Sequence, residues 1–137
     1  YMGISFSGGI GVLALPWDRR IRLAHVQVPS FGHQPLRMKL PSVGSAAAVQ
    51  RHLRQHPQAM DTLLYHDAAV AARFVGVPVH VAAALADPCV TPPGQFAIFN
   101  GLTGQRHLLE RGLADYPGNH RQQRELQDQL QQFFITL

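Results

Sequence analysis

Cysteine is almost missing from this sequence: Cys89 stands alone among 137 residues. No disulfide framework within the chain can hold the fold, and a reducing setting, the cytoplasm, is expected. Charge is scarce too, with 12 basic and 8 acidic residues, which argues against a disordered or solvated coil. The net charge is +4 and the isoelectric point is near 10.0. Yet the basic residues fall in ones and twos (Arg19 and Arg20, Arg51 and Arg54, Arg121 and Arg124), with no run and no interleaved aromatics. That scatter argues against nucleic acid as a partner. No apolar run approaches the roughly 20 residues that span a bilayer, so no membrane partner is expected. The stretch from Gly8 to Trp17 is apolar but lacks the positive charges that precede a signal sequence. What is abundant is hydrophobic residues, 46% of the chain, enough for the core of one domain.

The punctuation of the chain gives an order of elements. Tyr1-Met2-Gly3 reads as the end of a buried strand with nothing before it, so the chain is expected to be a partial domain lacking N-terminal strands. Ile21 to Val28 is rich in β-branched residues and bounded by turn signals. Val77 to Leu85 is a near-continuous apolar run, the mark of a parallel strand covered on both faces. His107 to Glu110 is a shorter last strand. Helices are expected over Gly8 to Leu15, stopped by Pro16, and over Ser45 to His56, with Ser45 as cap and Pro57 as stop. Asp67 is placed to cap Ala68 to Phe74. Pro93 to Asn100 has Gly101 at the C-cap position. The last helix, from about Arg121 to Phe134, carries Leu126, Leu130 and Phe133 at helical spacing. Ser30 to Ser45 reads as one long loop. Alternation of this kind predicts an α/β fold, about four parallel strands flanked by helices, with ligands beyond the C-terminal strand ends.

Three groups sit where such a fold places chemistry. Gly3-Ile4-Ser5-Phe6-Ser7-Gly8-Gly9 joins a strand to a helix and approximates the G-x-S-x-G nucleophile elbow, whose small residues make room around a strained turn. Two registers fit, one centred on Ser5 and one on Ser7. Ser5 is preferred because it keeps a glycine, Gly3, at one flank. Asp87 follows the Val77 to Leu85 strand, where a triad acid orients a histidine. His120 precedes the final helix. Each alone has a plain alternative: a tight packing turn, a turn-capping Asp before Pro88, an exposed turn histidine. Together their chain order, Ser then acid then His, is that of the α/β-hydrolase fold. His25 and His80 lie within strands and read as packed side chains. His52 and His56 are four apart on one helix, as in some metal sites, but no third ligand is evident. Asp115 is the rival acid. No cofactor and no metal are expected.

On these residues the sequence resembles the acetyl xylan esterase and cephalosporin C deacetylase family, over nearly the whole chain but only the C-terminal half of that fold. The spacing from Ser5 to Asp18, Arg20 and Ile21 resembles the family's elbow, helix and next strand. Gln27-Val28-Pro29, His52 to His56 and Leu64-Tyr65-His66-Asp67-Ala68 also have counterparts. The most specific stretch is Leu85-Ala86-Asp87, Thr91-Pro92-Pro93 and Phe96-Ala97-Ile98-Phe99-Asn100, followed by Gly118-Asn119-His120. The resemblance implies Ser5 as nucleophile, Asp87 as acid and His120 as base. It implies a half oxyanion hole at the Phe6 backbone N–H, and a small acetylated substrate. Ser7 stands where the family has glycine, Phe6 where it has Gln, and Arg121 where it has Glu. Two other readings stay open: an inactive remnant or interaction module, and a carboxylesterase or thioesterase of different specificity. An uncovered first strand is expected to pair with another chain, giving a homo-oligomer or a complex with an N-terminal half.

Overall fold

A computed structural model of the chain describes residues 1–112 and 120–136. Four strands form one parallel sheet in the order β1-β2-β3-β4: β1 (Met2–Ile4), β2 (Ala24–Gln27), β3 (Val79–Ala84) and β4 (Arg106–Arg111). Parallel neighbours need crossovers, and helices supply them: α1 (Phe6–Ala14) between β1 and β2; α2 (Gln34–Arg37), α3 (Gly44–Gln55), α4 (Ala59–Leu64) and α5 (Ala68–Ala72) between β2 and β3; and α6 (Pro92–Gly101) between β3 and β4, with α7 (His120–Thr136) following the last strand. All four strands therefore point their C-terminal ends at one rim.

The pleat divides side chains between two faces. Ala24 and Val26 of β2 and Val79 and Val81 of β3 lie on one face, in the main core with Val12 and Leu15 of the α1 region, Ala68 and Ala72 of α5, and Ile98 of α6. On the other face Ala82 and Leu109 pack beneath Leu126 and Leu130 of α7. Register also aligns His25, His80 and His107 as a row across β2, β3 and β4 on that face. The Phe133 ring lies 5.7 Å from His80 and 5.3 Å from His107, centroid to centroid.

The α/β architecture is as the sequence predicts, and Asp67 caps α5 by accepting from the Ala69 N–H at 2.9 Å. Several ends differ. Ser45 lies inside α3, whose N-cap is Val43. Gly101 is the last residue of α6, not a left-handed cap. It is small because a Cβ there would come 2.7 Å from the Ala69 carbonyl oxygen. Instead Arg106 caps that helix, its Nη1 donating to the carbonyls of Phe99, Asn100 and Leu102 at 3.1, 3.1 and 3.4 Å. β2 stops at Gln27 because Val28 turns to φ 42. The expected long loop holds the short helix α2, and α4 was not anticipated.

Candidate active site

Ser5 is the residue between β1 and α1, and its backbone adopts φ 54 and ψ −113. That region is strained for any L side chain and is held only where neighbours over-determine it, at about 1–3 kcal/mol. Here the Ser5 N–H donates to the Gln27 carbonyl at 2.8 Å, and the Ser5 carbonyl accepts from Gly9 and Ser30, both at 3.1 Å. The small residues around it are required. A Cβ on Gly3 would meet the Gly8 nitrogen at 2.9 Å, and one on Gly8 would meet the Pro29 Cα at 3.2 Å. The strand-to-helix elbow is therefore centred on Ser5.

Ser7 has another occupation. Its Oγ accepts from the Ile4 N–H and donates to the Ile4 carbonyl, both at 2.9 Å. Phe6 opens α1, so its N–H has no intrahelical carbonyl and remains available at the helix N-terminus. Its ring is 65% exposed.

Asp87 lies on the same rim, three residues past β3, half-buried. Its Oδ1 accepts from the N–H groups of Cys89 and Val90, each at 2.8 Å. Those bonds fix the carboxylate and leave Oδ2 for a further donor. His120 is the first residue of α7, exposed, following the C-terminal end of β4. The topology thus places all three on one rim, and among the described residues no hydrogen bond joins any two of them. Asp115, the rival acid, lies outside the described residues.

The other candidates take ordinary places. His52 and His56 are exposed, with rings 4.6 Å apart. No group of three or more His, Cys, Asp or Glu side chains among the described residues is arranged to hold a metal ion. His25 and His80 are buried with their Nδ1 atoms 3.0 Å apart, so one ring donates and the other accepts. Burial pushes His25 down to about 4, and the His80 ring and the Arg111 guanidinium push the same way. Burial also lowers His80, against its 3.3 Å contact with Gln129 Oε1. At the α1–β2 turn Asp18 accepts from Arg20 Nε and Nη2 at 2.8 and 2.7 Å, which holds its carboxyl down at about 2.

What the sequence did not reveal is the segment after β2. Val28, Phe31 and His33 all have positive φ (42, 70 and 53). Asp67 anchors this segment from a distance, accepting from the N–H groups of His33 and Gln34 at 2.9 and 2.7 Å. A cavity of about 1170 Å³ lies elsewhere. It lies between α4, α5 and the end of α1, lined by Leu13, Trp17, Tyr65 and Phe74. α1 runs about 13 Å away from the elbow before reaching it, so the hollow is not the site of Ser5. No described helix is long and apolar enough to cross a membrane.

Comparison with known proteins bears on the family and the fold. A family model described as acetyl xylan esterase matches residues 1–136. The acetyl xylan esterase from Paenibacillus sp. R4 superposes with a TM-score of 0.76 at 23% identity, over 90% of this chain and 42% of that one. Acetyl xylan esterase 1 from Thermoanaerobacterium sp. JW/SL YS485 gives 0.77 at 16% identity, over 91% and 43%. The acylaminoacyl peptidase of Pyrococcus horikoshii gives 0.79 at 13% identity, over 98% and 23%. At such identities the likeness establishes the α/β-hydrolase fold. The chain spans about two fifths of the length of the two esterases. No curated protein matches it.

Proposed function

The chain belongs to the acetyl xylan esterase family, and from that premise we propose that it carries the catalytic rim of a serine esterase acting on acetyl esters of sugars or related small molecules. His120 takes the proton of the Ser5 hydroxyl as Oγ attacks the ester carbonyl carbon. The Phe6 N–H donates to the oxygen that becomes negative, and a donor of this kind is worth about 10²–10³ in rate. The tetrahedral intermediate collapses, the C–O bond to the alcohol breaks, and His120 returns its proton to the departing alcohol. Water, deprotonated by His120, then releases acetate and regenerates Ser5. Asp87 orients the imidazole and stabilises its charged form. Hydrogen bonds of this kind tighten in the substrate complex, so open apo geometry is compatible with the scheme.

The observation that carries the reading is the Ser5 backbone, held at φ 54 and ψ −113 by three hydrogen bonds at a strand-to-helix elbow. A cytoplasmic setting fits the single exposed thiol of Cys89. The test is a fluorophosphonate probe followed by peptide mass mapping. One adduct on Ser5 is expected, and none in Ser5→Ala. Folded, unlabelled wild-type protein refutes the scheme. Rates on p-nitrophenyl acetate against longer acyl esters then separate a deacetylase from a general carboxylesterase or thioesterase.

A second reading rests on β1, which among the described residues pairs on one side only and exposes Met2 and Ile4. An open edge of this kind is a template for another strand. On that reading the chain is an interaction module, paired there with a second copy or a separate N-terminal half.

A further inference from the structure

Phe6 follows Ser5 directly and leaves 65% of its surface exposed, yet its ring is not free. It meets the Phe31 ring edge-on, with centroids 5.2 Å apart and planes at 81°. Aromatic pairs favour this geometry, which holds both rings in fixed relation to the elbow.

Phe31 is placed there at a cost. Its φ is 70, which a bulky side chain rarely adopts. The neighbouring bonds leave it no alternative. The preceding Ser30 N–H is tied to the Ser5 carbonyl, and the Phe31 carbonyl accepts from Ala68 at 2.9 Å. The Arg37 guanidinium sits 5.5 Å from the ring centroid. Gly9 has no room for a Cβ, which would run into the Ser30 carbonyl and the Phe31 ring. Strain that the surroundings over-determine, next to a candidate nucleophile, is characteristic of a functional constraint.

We propose that Phe6 and Phe31 form an aromatic wall beside Ser5 that selects acetyl esters of aromatic or other flat apolar alcohols over the hydroxyl-rich alcohols of sugars. The inference rests on the reading of Ser5 as nucleophile; it keeps the acetyl group and, among the small molecules that reading allows, moves the alcohol away from sugars. The exposed Phe6 ring, backed by a Phe31 ring half-buried against the main core, offers an alcohol group apolar area and edge-to-face contact but no hydrogen bond. A site built to recognise hydroxyls needs donors and acceptors, because unpaired buried polar groups are costly. Phe6 stands where the family resemblance places Gln, a side chain that supplies both.

The test compares kcat/KM for benzyl acetate with ethyl acetate and with a mono-acetylated methyl xyloside, which keeps two free hydroxyls on the alcohol side. All three share the acyl group, and benzyl and ethyl alcohol are comparable leaving groups. The wild type is expected to favour benzyl over ethyl acetate by about tenfold, as burial of one ring face implies, and to favour it over the xyloside. Phe6→Gln keeps the backbone N–H and is expected to bring the benzyl-to-ethyl ratio below about 2. Benzyl alcohol is also titrated into protein with labelled phenylalanine rings, where shifts of the Phe6 and Phe31 signals are expected. Hydrolysis with no benzyl preference, or a preference unmoved in Phe6→Gln, overturns the wall and leaves the nucleophile standing. Ring shifts without hydrolysis sustain the wall and overturn the nucleophile. Neither hydrolysis nor shifts overturns both.

Discussion

At the scale of single residues, the proposed triad is tested most directly at Asp87. Asp87 Oδ1 holds the turn by accepting from the N–H groups of Cys89 and Val90, and the proposed scheme assigns Oδ2 to His120. This division makes Asp87→Asn informative, because an amide oxygen preserves the turn while the negative charge is lost. The expected result is a fall in kcat of about 10³–10⁴ with KM little changed, as when a triad loses the group that fixes its imidazole tautomer. Steady-state rates on p-nitrophenyl acetate, with thermal melting as a control for the turn, check it. A fall below about tenfold transfers the acid role elsewhere. The sequence identified Asp87 because a long apolar strand ends beside it. It admitted two registers, on Ser5 and on Ser7, and preferred Ser5 for the glycine at one flank and for the family resemblance. What separates them is backbone strain at one and a bonded hydroxyl at the other, and neither is written in residue type.

At the scale of elements, the order of strands and helices was legible because each carries a local mark: the apolar run of β3, the Asp67 cap of α5, the spacing of Leu126, Leu130 and Phe133 on α7. Helices α2 and α4 carry no such mark. α2 is tied down by Asp67, more than thirty positions along the chain. The histidine row is invisible for the same reason, since His25 and His80 are 55 positions apart and only strand register aligns them. This row makes the docking of α7 pH-sensitive. His25 titrates near 4 in the fold, against 6.5 for an ordinary histidine. Above pH 6.5 it is neutral in both states, and its contribution to stability is complete. As the pH falls below 6.5 the unfolded chain takes up the proton first, so stability declines until about pH 4 and then levels. At about 1.4 kcal/mol per unit, the loss from His25 is up to about 3 kcal/mol. His80 is shifted in the same direction and adds to it. The groups facing the pair are Arg111 and His107 on β4, and Gln129 and Phe133 on α7. Urea midpoints between pH 7 and pH 4 are expected to fall in the wild type and to fall less in His25→Leu. Equal slopes exclude the pair as the source.

At the scale of the whole molecule, the interaction-module reading turns on β1, which pairs only with β2 among the described residues. In this strand Tyr1 and Ser5 direct their carbonyl and N–H toward β2, so the alternate residues Met2 and Ile4 direct theirs outward. The Ser7 hydroxyl satisfies both outward groups of Ile4, one as acceptor and one as donor. Ser7, standing where the family resemblance expects glycine, therefore blunts the edge at its C-terminal end without charge or bulge, a different device from those that usually protect edge strands. An incoming strand can bond the outward groups of Met2, but to pair along Ile4 it must displace two hydrogen bonds, at about 1 kcal/mol net for each. Ser7→Ala removes that obstacle while leaving the Ser5 elbow and the exposed Met2 and Ile4 side chains in place. Self-association measured by sedimentation equilibrium is expected to tighten by about tenfold or more in Ser7→Ala. It is expected to be lost again when Ile4→Lys sets a charge on the strand. Unchanged association in both variants places the contact away from β1 and withdraws the interaction-module reading. A tighter Ser7→Ala dimer that still carries one fluorophosphonate adduct per chain on Ser5 shows that pairing and chemistry share the strand without competing for it.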